Sequence, residues 1–177
     1  TPAEDVAAHA ATVAELIANS EGQHFGFTPV TGMIPDLGLI AYAAAEGTAL
    51  DHDLAGSGVA RTGARMSQVA RALAGLSDLH VSPTRRLDRS DLLRRAAAAQ
   101  RMIALLDPVA GNIAARLVAG LHALNVTVRH SPIHADMKLE HAFLSGPRTT
   151  LIDIESLSMG DPDYDLAALQ ARLEMAT

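Results

Sequence analysis

Along most of this chain apolar residues recur every three or four positions, and in a few short stretches the spacing drops to two. Val6, Ala10, Val13 and Ile17 form the first helical stripe. Ahead of it, Thr1 reads as an N-cap, Pro2 takes the first helical position and Glu4 reaches back as in a capping box. "FTPVTGMI" and "LGLIAYAAA", divided by Pro35 and Asp36, read as an antiparallel strand pair, with "EGTAL" as the turn out of the second strand. From about Asp51 the helical period takes over. Met66, Val69, Leu73 and Leu76 mark one helix, and Leu92, Ala96, Ala99, Ile103 and Leu106 mark a second that opens at Ser90. Asp107-Pro108 starts a third, with Ile113, Leu117, Leu121 and Leu124 on one face. "VTVRH" reads as a short strand, "AFLSGPRTTLIDI" as a hairpin turning at "SGPR", and Pro162 to about Met175 as the closing helix. This order predicts an α+β fold with strands at one edge of a helical body.

Composition narrows the class. The 177 residues are 49% hydrophobic but 3% aromatic, so packing rests on Ala, Leu, Val, Ile and Met, a mixture that favours helices. A net charge of −6 gives no reason to expect nucleic acid as the partner. With no cysteine there is no disulfide framework and no thiolate chemistry, which suits a cytoplasmic setting. No apolar run reaches the ~18 residues of a membrane span.

Ionisable residues crowd into one window near the end: His134, Asp136, Lys138, Glu140, His141, Asp153, Glu155, Asp161, Asp163 and Asp165. Asp136 stands before the predicted hairpin and Asp153 at its end, so the returning chain sets two carboxylates face to face. One can accept a proton while the other holds a hard cation through oxygen. His141 is close enough in sequence to share that cation or orient a phosphate.

"HADMKLEH", "LIDIE" and "GDPDYDLA" together resemble the protein-kinase-like superfamily, specifically its aminoglycoside phosphotransferase and choline kinase branch. That branch carries His-x-Asp with Asn five residues after the Asp, a metal-binding Asp after the next hairpin, and a Gly-Asp-Pro-x-x-Asp-Leu-Ala segment. The last matches Gly160 to Ala167 at every fixed position. The resemblance implies a protein-kinase-like fold, with residues 1–49 as a partial small lobe and hinge and residues 50–177 as a helical large lobe. It implies ATP and magnesium as cofactors. Asp136 would be catalytic, with Lys138 beside the transferred phosphate. Asp153 and His141 would hold metal, and backbone groups from Ala43 to Ala45 would meet adenine. His134 and Asp165 would brace the loop; Asp161 would support it or cap the last helix.

The chain departs from that pattern in three places. No Gly-rich loop or strand lysine precedes the opening helix, so residues upstream of Thr1 are expected to supply them. The glutamate that would pair with such a lysine is replaced by His9, with Glu15 further on. The family's Asn is His141, and imidazole suits magnesium less well than an amide oxygen.

The implied activity is transfer of the γ-phosphate to a hydroxyl of an aminoglycoside-like molecule, a sugar or an amino alcohol. The alternatives are a Ser/Thr kinase of a precursor peptide working with a partner protein, and a non-catalytic pseudokinase. A metal hydrolase lacks the necessary histidine spacing. Arg85, Arg86, Arg89, Arg94 and Arg95 read as a solvated helix start laced with Asp88 and Asp91, or else as a dock for an acidic peptide.

Overall fold

A computed structural model describes residues 2–124 and 129–176. Helix α1 (Pro2–Asn19) leads into strand β1 (Phe25–Phe27) and then the hairpin β2 (Val30–Ile34) and β3 (Leu39–Tyr42), joined by a 3-10 turn over Pro35–Leu37. A short strand β4 (Thr48–Ala49) runs directly into α2 (Leu50–Leu54), followed by α3 (Val59–Ser77), α4 (Arg89–Leu106) and α5 (Pro108–Ala123). The last third contains β5 (Ser131–Ile133), β6 (Ala142–Ser145), β7 (Arg148–Leu151), β8 (Ser158–Gly160) and α6 (Asp163–Ala176). The predicted Thr1 cap and most of the "VTVRH" strand lie outside the described residues.

Both predicted hairpins form. β2 and β3 pair antiparallel, and β6 and β7 pair from Ala142↔Leu151 to Ser145↔Arg148 around Gly146, whose φ of 56° suits the turn. Periodicity gave no sign of the longer-range pairings. β1 runs parallel to β7, and β4 runs antiparallel to β6, which makes a four-stranded sheet in the order β1-β7-β6-β4. The "EGTAL" turn thus contains a strand. β5 pairs antiparallel with β8, Ser131 opposite Gly160.

The core lies between this sheet and α1, α3 and α6. Val13, Leu16, Phe25, Leu50, Val69, Leu76, Met137, Leu151 and Leu169 are nearly or wholly excluded from solvent. Each such side chain contributes about 1.5–3 kcal/mol of transfer free energy. One polar residue joins the helices to the sheet: the Gln68 amide on α3 donates to the carbonyls of Gly146 and Arg148.

Helices α4 and α5 form as the spacing predicts, yet much of their apolar stripes stays uncovered beyond Leu92, which packs against Leu87 and Ile133. Leu106, Ile113, Leu117 and Leu121 are 85, 53, 66 and 45% exposed. The two helices pack on each other closely enough that a side chain at Gly111 would meet the Ala104 backbone at 2.5 Å. Asp88 and Asp91 cap α4 reciprocally, and Asp107 caps α5 by accepting from the N–H groups of Val109 and Ala110. Arg89 spans the pair and donates to the carbonyls of Leu121 and His122 at the end of α5, while Arg94 pairs with Asp91. Within the arginine cluster, Arg89 therefore ties the two helices together at their ends.

Candidate active site

β5 carries the chain into the segment His134–Lys138, and a 3-10 turn over Leu139–His141 delivers it to β6. This segment is held from below by α6. Asp165, 2% exposed, accepts from the backbone N–H of His134 at 2.6 Å and of Ala135 at 2.9 Å. Ala135 sits at φ 65°, a left-handed conformation that costs a non-glycine residue about 1–2 kcal/mol unless surrounding bonds impose it. Burial pushes the Asp165 carboxyl above its ordinary pKa, opposed first by the hydrogen bond from His134 and then by the nearby His134 ring and the Ala135 N–H.

The His134 side chain is wholly buried and its Nε2 donates to the Ile152 carbonyl at 2.8 Å. Its Nδ1 finds no partner among the described residues. Burial lowers the imidazole pKa; the bond to Ile152 works the other way. His134 stacks on His141, ring centroids 5.6 Å apart and planes 26° apart. That stack ties the loop before the hairpin to the 3-10 turn that leads into β6.

His141 is 6% exposed and fixed on several sides. Its N–H donates to the Lys138 carbonyl at 3.2 Å and its carbonyl accepts from Ile152 at 3.0 Å. The ring's Nδ1 donates to the Asp136 carbonyl at 3.1 Å, which leaves Nε2 facing Asp153 Oδ2, also at 3.1 Å. Asp153 follows β7 in a left-handed conformation, φ 58°. Asp136, Asp153 and Lys138 reach solvent, with side chains 46, 44 and 26% exposed, and the Lys138 ammonium lies 3.1 Å from Asp136 Oδ2. Ligand atoms of Asp136, His141 and Asp153 all fall within 4.8 Å of one another. This cluster therefore sets three groups that could hold a cation beside an ammonium, with Asp136 and Asp153 reaching solvent.

Beside it opens a cavity of about 500 Å³ walled by Gly47, Thr48, Ala49, Asp51, His52, Glu140, Phe143 and Ile152. Ala43 and Ala45 belong to the irregular segment that leads to this cavity, and the Ala43 N–H already donates to the Pro29 carbonyl at 2.9 Å. Asp51 was not singled out from the sequence, where it looks like any first-turn helix acid. Its Oδ1 is buried without a partner among the described residues. Asp161 accepts from the Asp163 N–H at 3.1 Å and so caps α6. Glu140 is exposed. His9, on α1, lies 2.5 Å from the Tyr42 hydroxyl, and burial lowers its pKa.

The donors suit a divalent cation, but the fit to magnesium is incomplete. Two carboxylates match a hard ion, whereas the imidazole nitrogen does not match magnesium's preference for oxygen.

Residues 4–177 match the phosphotransferase enzyme family, and the chain belongs to it. Three solved structures show the same fold. A choline/ethanolamine kinase family protein from Mesorhizobium loti superposes with a TM-score of 0.61 at 17% identity, over 94% of this chain and 56% of that one. The GDP and kanamycin complex of APH(2")-IIia gives 0.67 at 16% identity, over 95% and 63%. A streptomycin–ATP–APH(2")-IIa ternary complex gives 0.58 at 14% identity, over 91% and 60%. The fold is that of the protein-kinase-like phosphotransferases, and this chain spans less than two thirds of the length of those proteins. No curated protein matches the sequence. Among the described residues, no helix is long and apolar enough to cross a membrane.

Proposed function

We propose that this chain carries the phosphate-transfer centre of an ATP-dependent kinase acting on a hydroxyl of a small molecule such as an aminoglycoside, a sugar or an amino alcohol. The observation that carries the reading is the convergence of Asp136, His141 and Asp153, with Lys138 alongside. Asp136 orients the acceptor hydroxyl and takes its proton as the oxygen bonds to the γ-phosphorus. The bond to the bridging oxygen then breaks, and ADP leaves. Lys138 places positive charge where the transferred phosphoryl group gathers negative charge. Asp153 and His141 are the residues that would hold a divalent cation, whose chemistry is to neutralise the nucleotide phosphates.

Asp165 and His134 do their work at a remove. They fix the loop so that the Asp136 carboxylate stays where a hydroxyl must approach, and orientation of this kind accounts for a large share of enzymatic rate. The 43–45 segment offers the Ala43 carbonyl and the Ala45 backbone to the base, with the cavity lined by Thr48, Asp51 and Phe143 receiving the nucleoside.

The test is transfer of labelled phosphate from ATP or GTP to a panel holding kanamycin, streptomycin, choline, ethanolamine and simple sugars. Asp136→Asn should lower turnover by about 10³-fold or more while leaving the thermal midpoint within about 2 °C of wild type, because the Asp136 side chain is 46% exposed and holds up no core. Nucleotide binding with no transfer to any acceptor, peptides included, would place the chain among binding modules instead.

A further inference from the structure

We infer that the cation centre of this chain selects a divalent transition ion of the manganese(II) kind over magnesium. The inference rests on the phosphotransferase reading and concerns which ion that site takes.

His141 Nε2 and Asp153 Oδ2 lie 3.1 Å apart. Two adjacent ligands on an octahedral ion with bonds of ~2.1 Å stand about 3.0 Å apart, so these atoms are already spaced to share one ion. An oxygen of Asp136 is near enough to join them, since all three ligand atoms fall within 4.8 Å. The other Asp136 interaction is with Lys138, at Oδ2. The protein thus offers one imidazole nitrogen and carboxylate oxygens. Magnesium favours an all-oxygen shell and keeps its waters in preference to nitrogen, whereas first-row transition ions bind imidazole and carboxylate together.

The nitrogen cannot easily withdraw. A carbonyl only accepts, so the contact to the Asp136 carbonyl puts the proton on Nδ1 and leaves the Nε2 lone pair, in the neutral ring, aimed at Asp153. A backbone carbonyl on the far nitrogen is the usual way a protein orients a ligating histidine. The main chain of His141 is bonded at both its N–H and its C=O, and the ring lies against His134. Rotating the imidazole away to leave oxygen ligands alone would break the Nδ1 bond and the ring stack inside a site that is 6% exposed at this residue. Asp153 stays open enough to let water and phosphate oxygens complete the shell.

The competing account is that His141 and Asp153 form only an ion pair. Manganese(II) chloride titrated into the chain in the absence of nucleotide, which would itself bind the ion, separates the two. Loss of the free-ion electron paramagnetic resonance signal reports binding, and magnesium chloride is added as competitor. The expected result is half-displacement only at about tenfold or greater magnesium excess. Pulsed resonance on the bound ion should show coupling to a ¹⁴N nucleus. His141→Asn, checked for folding by circular dichroism, should lose that coupling and bring the manganese-to-magnesium preference down by about tenfold. The wild-type coupling decides the matter even if the variant misfolds. Displacement at equal magnesium, or a bound ion without ¹⁴N coupling, overturns the ion preference and leaves the phosphotransferase reading standing. No divalent ion bound overturns the ion preference as well, and the phosphate-transfer assay then judges the phosphotransferase reading by itself.

Discussion

Replacing Asp165 by alanine tests whether α6 really sets the conformation of the loop that carries Asp136. The carboxylate accepts from two buried N–H groups, at 2.6 and 2.9 Å, and sits at 2% exposure. A buried donor left unpaired costs about 1–3 kcal/mol, and these two lose a charged acceptor, so the upper half of that range applies. The left-handed Ala135 loses the bond that holds it there, and the loop can relax toward an ordinary conformation, which recovers part of the loss. The net expectation is about 3–5 kcal/mol of lost stability. For a chain of this length each kcal/mol moves the midpoint by about 2–4 °C, so Asp165→Ala should melt roughly 6–20 °C lower. Asp165→Asn keeps one accepting oxygen but turns an N–H toward the other donor, and should fall between wild type and alanine. Thermal melts followed by circular dichroism give the stability. Amide hydrogen exchange at His134 and Ala135 gives the local effect, since both should be protected in wild type and exchange freely in the alanine variant. A midpoint within about 3 °C of wild type, with both amides still protected, would refute the reasoning.

Two further outcomes are expected. Gly75→Ala places a Cβ 2.3 Å from the Phe25 ring, which is fully buried, so overpacking of about 1–3 kcal/mol should outweigh the ~1 kcal/mol gained in helix propensity; a raised urea midpoint would contradict the packing. The second outcome concerns pH. Burial lowers the pKa of His134 and His9 from 6.5, so below that pH the unfolded chain takes up protons that the folded chain refuses, and stability should fall as pH drops from 6.5 toward 5. The slope approaches about 1.4 kcal/mol per pH unit for the buried His134 and is smaller for the partly exposed, solvent-screened His9, while Asp165, with its pKa raised, binds its proton more readily when folded and offsets part of the loss at the acid end. His9→Gln should flatten the dependence of the urea midpoint on pH; a wild-type midpoint unchanged from pH 7 to 5 would rule the effect out.

How far the sequence could be read followed the range of the interactions involved. Helix boundaries were legible because caps and apolar spacing act within a few residues, as Asp107-Pro108 at the start of α5 illustrates. The β6–β7 hairpin was legible for the same reason, and it returns the chain so that Asp153 comes near Asp136. Those local facts, with the fixed spacing of His134, Asp136, His141 and Asp153, also placed the chain in its family. Other features were not visible. β1 and β7 come from opposite ends of the chain, and no periodicity in either names its partner. The stripes of α4 and α5 showed that each helix has an apolar face; only the packed chain shows that Leu106 and Leu117 stay exposed. An apolar face is a property of one segment, whereas its burial depends on what other segments leave room to cover it.

The site divides along the same line. Its residue types, and the order in which they arrive, were determined by the sequence alone. Tertiary structure decided what each one does. It spent the Asp161 carboxylate on a helix cap, turned Asp165 onto two backbone N–H groups thirty residues away, and brought an unpredicted Asp51 to the cavity wall. It also aimed the free nitrogen of His141 at Asp153. Hydrogen bonds and ligand directions depend on ångström-scale geometry between distant segments, and one-dimensional spacing carries no record of that.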